Sequence, residues 1–128
     1  MSKDKKIYDN RGNLIYTEHL SGYWVKRKFD KNNNQIYYKN SNGTWVKRIY
    51  DKNNYKIYHE NSDGYWIKSE YDKNRNLIYY EDSDGYWCRQ KFDNNRNIIN
   101  YKSSHGNWYK HKYDNNNNII DYQDHDGN

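Results

Sequence analysis

Short segments of alternating large and polar residues run along nearly the whole chain. In residues 22–42, GYWVKRKFDKNNNQIYYKNSN, two segments at 23–29 and 35–39 are rich in aromatic and β-branched residues. Asp-Lys-Asn-Asn-Asn separates them and Asn-Ser-Asn-Gly follows the second. Strand-forming segments bounded by such turn residues predict strand, turn, strand, turn. No period of 3.6 residues is present, so this stretch predicts a β-hairpin and not a helix.

The same pattern recurs every 21 residues, which indicates a tandem-repeat architecture. SDGYW, for example, occurs at 62–66 and again at 83–87. The residues that keep the step most strictly are Trp24, Trp45, Trp66, Trp87 and Trp108; Gly43, Gly64 and Gly85; Asp30, Asp51, Asp72 and Asp93; and Ile36, Ile57, Ile78 and Ile99. We therefore predict one all-β domain, 1–128, with a partial repeat at 7–21 and full repeats at 22–42, 43–63, 64–84, 85–105 and 106–126. Tandem hairpins would form an elongated antiparallel sheet or a coiling repeat array.

Both faces of the predicted sheet carry rings. Alternation along a strand places Trp24, Lys26 and Lys28 on one face and Val25 and Arg27, with the flanking aromatic residues, on the other. This distribution fits either a single-layer sheet or a coiling sheet with a narrow aromatic interior. Lys26 can lie across the neighbouring indole and gain cation-π attraction. In a plain meander, equivalent tryptophans would stand roughly 10 Å apart.

The composition argues against a thick aliphatic core. Apolar residues make up 33% of the 128 residues and aromatic residues 19%, alanine and proline are absent, and the mean hydropathy is −1.64. The strict periodicity argues equally against disorder, despite the polar average. We expect each repeat to bury its few large residues against its neighbours.

Charge and cysteine content limit which binding partners and which cellular compartment are expected. The net charge of +5 is uneven, with +4 in residues 22–42 and −2 in residues 64–84. The single cysteine, Cys88, stands where other repeats have Val, Ile or Tyr, which predicts a small apolar filler and excludes an internal disulfide. Neither a signal peptide nor a membrane-spanning run is visible, so the sequence predicts a cytoplasmic protein with no membrane partner.

Two hairpin-repeat families share these residues. K-x-x-Y-D-x-x-G-N-x-I, best matched at residues 8–15, resembles the YD repeats of Rhs-type proteins, and the DG-x-W element resembles MORN-like repeats. The later copies depart from the YD pattern by placing Asn33, Asn54, Arg75, Arg96 and Asn117 where residue 12 is glycine. Short free-standing arrays of this kind resemble proteins carried by phages and mobile elements. That resemblance implies a small inhibitor of host defence, such as an anti-CRISPR protein, in the cytoplasm of a bacterial host cell.

No catalytic, metal or cofactor site is predicted. The aspartates recur in register, so we interpret them as turn-capping residues of a scaffold, since an active site would break the repeat. The histidines show no spacing typical of a zinc site. Asp-x-Asn-x-Asn resembles the start of a calcium loop, but no bidentate carboxylate follows at its end.

Three binding hypotheses remain open. The first is an inhibitor that contacts a host protein or ribonucleoprotein, because Trp, Tyr and Arg are enriched at interface hot spots. The second is nucleic-acid binding by interleaved aromatic and basic residues. The third is carbohydrate or cell-wall binding, as in other aromatic-rich hairpin repeats. The candidate binding residues are Trp24, Lys26, Arg27, Lys28, Trp45, Lys47, Arg48 and Tyr55. Pairing of sheet edges into a homodimer is a further expectation.

Overall fold

The structure is a computed structural model that describes residues 3–127. These residues form twelve β-strands and no helix. The strands are β1 (Lys5–Tyr8), β2 (Leu14–Glu18), β3 (Trp24–Phe29), β4 (Gln35–Asn40), β5 (Trp45–Tyr50), β6 (Lys56–Asn61), β7 (Trp66–Tyr71), β8 (Leu77–Asp82), β9 (Trp87–Phe92), β10 (Ile98–Ser103), β11 (Trp108–Tyr113) and β12 (Ile119–Asp124). The predicted all-β fold of tandem hairpins is confirmed.

The chain divides into two compact units, one ending at Trp66 and the other beginning at Ile67. In each unit the strands pair antiparallel with their sequence neighbours, so the order of the strands follows the order of the chain. The grouping of all repeats into one domain stays a prediction. Within the described residues, no helix is long and apolar enough to cross a membrane.

Each hairpin contains a β-bulge at the isoleucine that recurs every 21 residues. In the hairpin of β3 and β4, Lys28 opposes Tyr37 and Phe29 opposes Gln35, which leaves Ile36 without a cross-strand partner. The other hairpins skip the equivalent residue, which is Ile15, Ile57, Ile78, Ile99 or Ile120. Because a bulge increases the local twist of a strand pair, its repetition introduces the same distortion into every hairpin.

The two turns of each repeat share one hydrogen-bond pattern. Asp30 accepts the backbone N–H groups of Asn32 and Asn34 through Oδ1 at 2.9 and 3.0 Å, and Asn33 closes the turn with φ of 65°. In the next turn Asn40 accepts two N–H groups in the same way, and Gly43 has φ of 87°. The positions that depart from the YD pattern therefore keep its turn, including Arg75 and Arg96 at φ of 70° and 66°. Local hydrogen bonds hold these residues in the left-handed conformation that glycine adopts at lower cost.

Asparagine side chains connect successive turns on one edge of each unit. Asn13 Nδ2 donates to Asn33 Oδ1 at 2.9 Å, and Asn34 Nδ2 donates to Asn54 Oδ1 at 3.0 Å. Asn97 and Asn117 make the same bond in the second unit. Tyr55 occupies the asparagine position of this ladder in its own repeat.

Each unit is a single layer, with strands but no second layer over either face among the described residues. The buried apolar side chains of this part of the chain are Val25 and Cys88, at 6% and 8% exposure. The accessible surface is 9232 Å², against about 7,400 Å² expected for a compact monomer of this mass. Of the two arrangements predicted from the sequence, the single-layer sheet is the one observed in each unit.

Candidate nucleic-acid interface

The cross-strand register gathers tryptophan and basic residues on one face of each unit, which we call the tryptophan face of that unit. In the first unit, Lys26 lies opposite Tyr16 on one side and opposite Lys39 on the other. Lys39 in turn lies opposite Trp45. Since directly opposed residues share a face, the first unit contributes Tyr16, Trp24, Lys26, Lys28, Tyr37, Lys39, Trp45 and Lys47. By the same register the second unit contributes Tyr79, Trp87, Arg89, Lys91, Asn100, Lys102, Trp108 and Lys110.

Basic side chains on this face lie over the rings. Lys26 Nζ is 4.9 Å from the centroid of Trp24, and Lys47 Nζ is 5.1 Å from that of Trp45. In the second unit the Arg89 guanidinium is 5.0 Å from the Tyr79 ring. At exposed positions such contacts contribute on the order of 0.5–1 kcal/mol. They hold cations beside flat aromatic surfaces that are half open to solvent.

The register is staggered by two residues from one hairpin to the next. Trp45 lies in the same cross-strand row as Lys39 and Lys26. Trp24 is not in this row, because it lies two residues before Lys26 on β3. With about 4.8 Å between strands and about 3.4 Å per residue, the two indoles stand roughly 12 Å apart. This separation exceeds the roughly 10 Å predicted for a plain meander, because that prediction assumed no stagger.

The residue opposite each tryptophan decides its electrostatic surroundings. Trp24 faces Glu18, and Trp87 faces Glu81. Trp45, in contrast, faces Lys39, and Trp108 faces Lys102. The tryptophans repeat every 21 residues, but the residue opposite the ring is acidic for Trp24 and Trp87 and basic for Trp45 and Trp108.

Trp45 is therefore the centre of a basic cluster in the first unit. Lys47 lies over its ring, Lys39 is its cross-strand neighbour, and Lys26 is the next residue in the same row. None of the three lysines forms an ion pair with a carboxylate among residues 3–127. No carboxylate lies opposite Lys26 or Lys39, so their charge is available to an external anion, whereas Lys47 lies opposite Glu60.

Trp108 is the equivalent centre in the second unit. Lys102 lies opposite it, Arg89 is next in the row, and Lys110 follows it by two residues on the same strand. Trp108, Lys102 and Lys110, with Asn100, line a shallow groove of about 270 Å³. A larger groove of about 560 Å³ in the first unit has Tyr16, Lys26, Lys28 and Tyr37 in its wall. Both grooves are open surface channels that suit an extended ligand.

The predicted binding residues do not all lie together. Trp24, Lys26, Lys28, Trp45 and Lys47 share the tryptophan face. In contrast, Arg27 and Arg48 project from the opposite face, where Arg27 lies 5.7 Å from the Tyr38 ring and Arg48 opposes His59. Tyr55 lies in the turn between β5 and β6.

The sequence analysis did not select Lys39 or Lys102, and it assigned Trp108 only a structural position. A useful signal was present in the spacing, because Lys39 precedes Trp45 by six residues and Lys102 precedes Trp108 by six. The corresponding residues before Trp24 and Trp87 are Glu18 and Glu81. Only the register shows that this spacing places the two side chains opposite each other.

The opposite face is a tyrosine and histidine stack in the second unit. Tyr109 stacks on Tyr101 at 5.0 Å and on His111 at 4.6 Å, and His111 lies 4.9 Å from Tyr122. A hydrogen bond between the hydroxyl groups of Tyr86 and Tyr101 raises the pKa of Tyr86 to about 12. These rings contact one another and leave fewer flat surfaces free for a ligand.

The remaining reactive groups are engaged in the scaffold. Hydrogen bonds from the backbone of Asn97 lower the pKa of Asp93, whose two carboxylate oxygens bind the turn amides and the Asn97 side chain. Burial raises the pKa of the Cys88 thiol. In the part of the chain that the structure describes, no group of three or more His, Cys, Asp or Glu side chains is placed to hold a metal ion.

The amino-acid sequence matches no protein-family model and no curated protein. The fold does match solved structures. Crystal structures of TcdB2-TccC3-Cdc42 and TcdB2-TccC3-TEV align with 93% of this chain at a TM-score of 0.57 and 14% identity. This chain covers 7% of the length of theirs. Those chains contain Rhs/YD repeats, so the repeated hairpins are consistent with the Rhs-like resemblance seen in the sequence, and at this identity the likeness shows the fold alone.

Proposed function

We propose that this protein is a non-enzymatic binding protein whose tryptophan face holds single-stranded nucleic acid. One observation supports this function above the others. Trp45 and Trp108 are each half exposed, and each is surrounded by three basic residues that form no ion pair among the described residues. Flat aromatic surfaces with fixed cations beside them match the two parts of a nucleotide, the base and the phosphate.

The chemistry of recognition follows from these groups. A base that stacks on an indole contributes about 1–3 kcal/mol, whichever base it is. The lysine and arginine side chains neutralise phosphates and release condensed counterions. We therefore expect the affinity for single-stranded nucleic acid to fall steeply with salt concentration and to vary little with base sequence.

The first test is the salt dependence of binding to a fluorescent single-stranded oligonucleotide. If the three cations around Trp45 each neutralise one phosphate, log affinity should fall against log salt with a slope of about −2 for that cluster. Lys39→Ala should reduce the slope by about 0.7. Binding that is independent of salt would contradict the proposal and would favour a neutral carbohydrate, the third hypothesis.

The second test uses tryptophans that share a repeat position but differ in their cross-strand neighbour. Trp108→Ala should weaken binding by about 5- to 100-fold. Trp87→Ala is the matched control, since Glu81 opposes that ring, and its effect should be clearly smaller. Glu81→Lys should give Trp87 the surroundings of Trp108 and raise the affinity. Equal effects of the two alanine substitutions would contradict the proposed importance of the opposing charge.

A protein or ribonucleoprotein partner is the second candidate function. The aromatic stack from Tyr101 to Tyr122 in the second unit carries residue types that are enriched at interface hot spots, and so, separately, do the half-buried Arg27 and Arg48 in the first unit. Inhibition of a host nucleic-acid-targeting defence system, as by an anti-CRISPR protein, stays a prediction, as does a cytoplasmic location. A pull-down from bacterial lysate that recovers a nuclease after nucleic-acid digestion would support it. Loss of the nuclease after digestion would instead favour direct nucleic-acid binding.

A further inference from the structure

The two outermost strands carry most of the exposed apolar surface. Eight large apolar side chains are exposed among the described residues, and five of them lie on β1 or β12. They are Ile7, Tyr8, Ile119, Ile120 and Tyr122. Ile49 on β5 is the large apolar side chain that is exposed within an inner strand among the described residues. An outer strand has a neighbour on one side only, so its free edge can pair with another strand.

The two outer strands have complementary charges. Lys5 and Lys6 lie on β1, with Lys3 just before it. On β12, Asp121 is exposed and has Lys112 opposite it on the inner side, whereas Asp124 is buried and accepts the Tyr122 hydroxyl. Asp4, which precedes Lys5, is already paired with His19 Nδ1 at 2.9 Å, and Glu18 lies opposite Lys5 on the inner side of β1. A basic edge and an acidic edge attract each other, whereas two copies of either edge repel.

The repeat also defines how the two edges would align. Successive hairpins are joined in the same register at four junctions that the structure describes. The opposed pairs are Tyr16 with Lys26, Tyr37 with Lys47, Tyr79 with Arg89, and Asn100 with Lys110. The first member of each pair recurs every 21 residues, and one repeat after Asn100 this position is Asp121 on β12. The second member recurs at the same step, and one repeat before Lys26 this position is Lys5 on β1. The register of the repeat thus places Asp121 opposite Lys5 of a second copy.

The free edge of β12 has a backbone N–H group, that of Tyr122, which can donate to another strand. Asn40, the equivalent of Asp124, donates its N–H toward the following hairpin, to the Thr44 carbonyl at 3.0 Å. Tyr122 lies two residues before Asp124, so its N–H points toward the same free edge. In the single chain this N–H donates to Asp121 Oδ1 at 2.9 Å. A pairing strand would supply a backbone carbonyl instead, and the Asp121 carboxylate would be released to bind a lysine.

We infer that the chain associates head to tail with a second copy of itself through β12 and β1, with Asp121 bound to Lys5 of that copy. The two edges are different surfaces, so the contact is heterologous, and each copy can use its β12 and its β1 with different neighbours. The exchange of one hydrogen bond for another at Tyr122 keeps the association weak and dependent on concentration.

Sedimentation velocity of the 128-residue chain, without nucleic acid, tests this inference. The weight-average mass should rise with concentration above that of the monomer and should fall when salt is added, because screening weakens the exposed ion pair. A chain that stays monomeric at every concentration would overturn the inference.

Charge reversal identifies the pair. Asp121→Lys and Lys5→Asp should each lower the association constant by about fivefold or more, since opposite charges become like charges across the strands. The double variant should restore it to within about twofold of the original. Asp63→Lys and Lys31→Asp change the same charges at exposed turn positions and should leave association unchanged.

Two outcomes of the variant series would refute the Asp121–Lys5 contact. One is an effect of the control variants as large as that of the edge variants, which would indicate a response to net charge alone. The other is a double variant no better than the single ones. A far-UV circular dichroism spectrum of every variant shows whether the strands are retained. If Asp121→Lys loses them, Asp121→Asn takes its place, and it should weaken association relative to the original chain.

Discussion

Val25→Ala measures how much a single-layer sheet relies on its few buried aliphatic side chains. Val25 is 6% exposed and lies between Thr17 and Asn40 of the neighbouring strands. The substitution removes two buried methyl groups, worth about 0.8 kcal/mol each. Because no second layer covers this face in the unit, water fills the space and no closed cavity adds to the cost. The lower strand propensity of alanine adds up to about 1 kcal/mol.

We therefore expect Val25→Ala to lower the free energy of unfolding by about 1.5–2.5 kcal/mol. Val46→Ala is the matched control, because Val46 occupies the same repeat position, is half exposed and shares the propensity change. Its cost should be smaller. The assay is denaturant unfolding followed by circular dichroism and tryptophan fluorescence, whose transitions must coincide before a free energy is assigned.

Two results would refute this reasoning. A loss above about 4 kcal/mol would be typical of a side chain enclosed on all sides, and would mean that another layer covers the face. Equal losses at Val25 and Val46 would mean that burial on this face contributes nothing beyond strand propensity.

Three further predictions concern groups with shifted pKa values. Burial raises the pKa of Cys88, so a thiol reagent at neutral pH should label the native chain much more slowly than the denatured chain. Burial and the neighbouring cations Lys56 and Arg48 lower the pKa of His59 below 6.5 in the folded chain. Neutral His59 therefore contributes its full stability at a pH above the pKa of the unfolded chain, and this contribution is lost as the pH falls through the pKa of the folded chain. His59→Gln should reduce the fall in unfolding free energy below pH 6.5. The hydrogen bond with Tyr101 raises the pKa of Tyr86 to about 12, and Tyr101→Phe should lower it in an alkaline absorbance titration.

Local chemistry made the strands and turns predictable. Aromatic and β-branched segments between Asx and glycine residues specify hairpins without reference to distant parts of the chain. Asp30 and Asn40 illustrate this, because each binds backbone amides within four residues of itself. The same local bonds explain why Arg75 and Arg96 adopt positive φ, although the sequence pattern alone gives arginine no preference for that conformation.

Cross-strand relationships were less accessible. The recurring isoleucine was visible as a strict position, but its role as the bulged residue depends on the pairing of two strands. The candidate site shows the same limit. Tryptophan and lysine positions were read correctly as one face of a strand, whereas Lys39 and Lys102 emerged only when neighbouring strands were aligned.

The amino-acid sequence by itself determined the repeat length, the hairpin unit and the alternation of side chains, because these follow from interactions within a single repeat. The tertiary structure decided which tryptophans have a basic neighbour, because the stagger between hairpins depends on bulges and backbone pairing. A shift of one residue in that register would move Lys39 to the other face and leave Trp45 without its opposing charge.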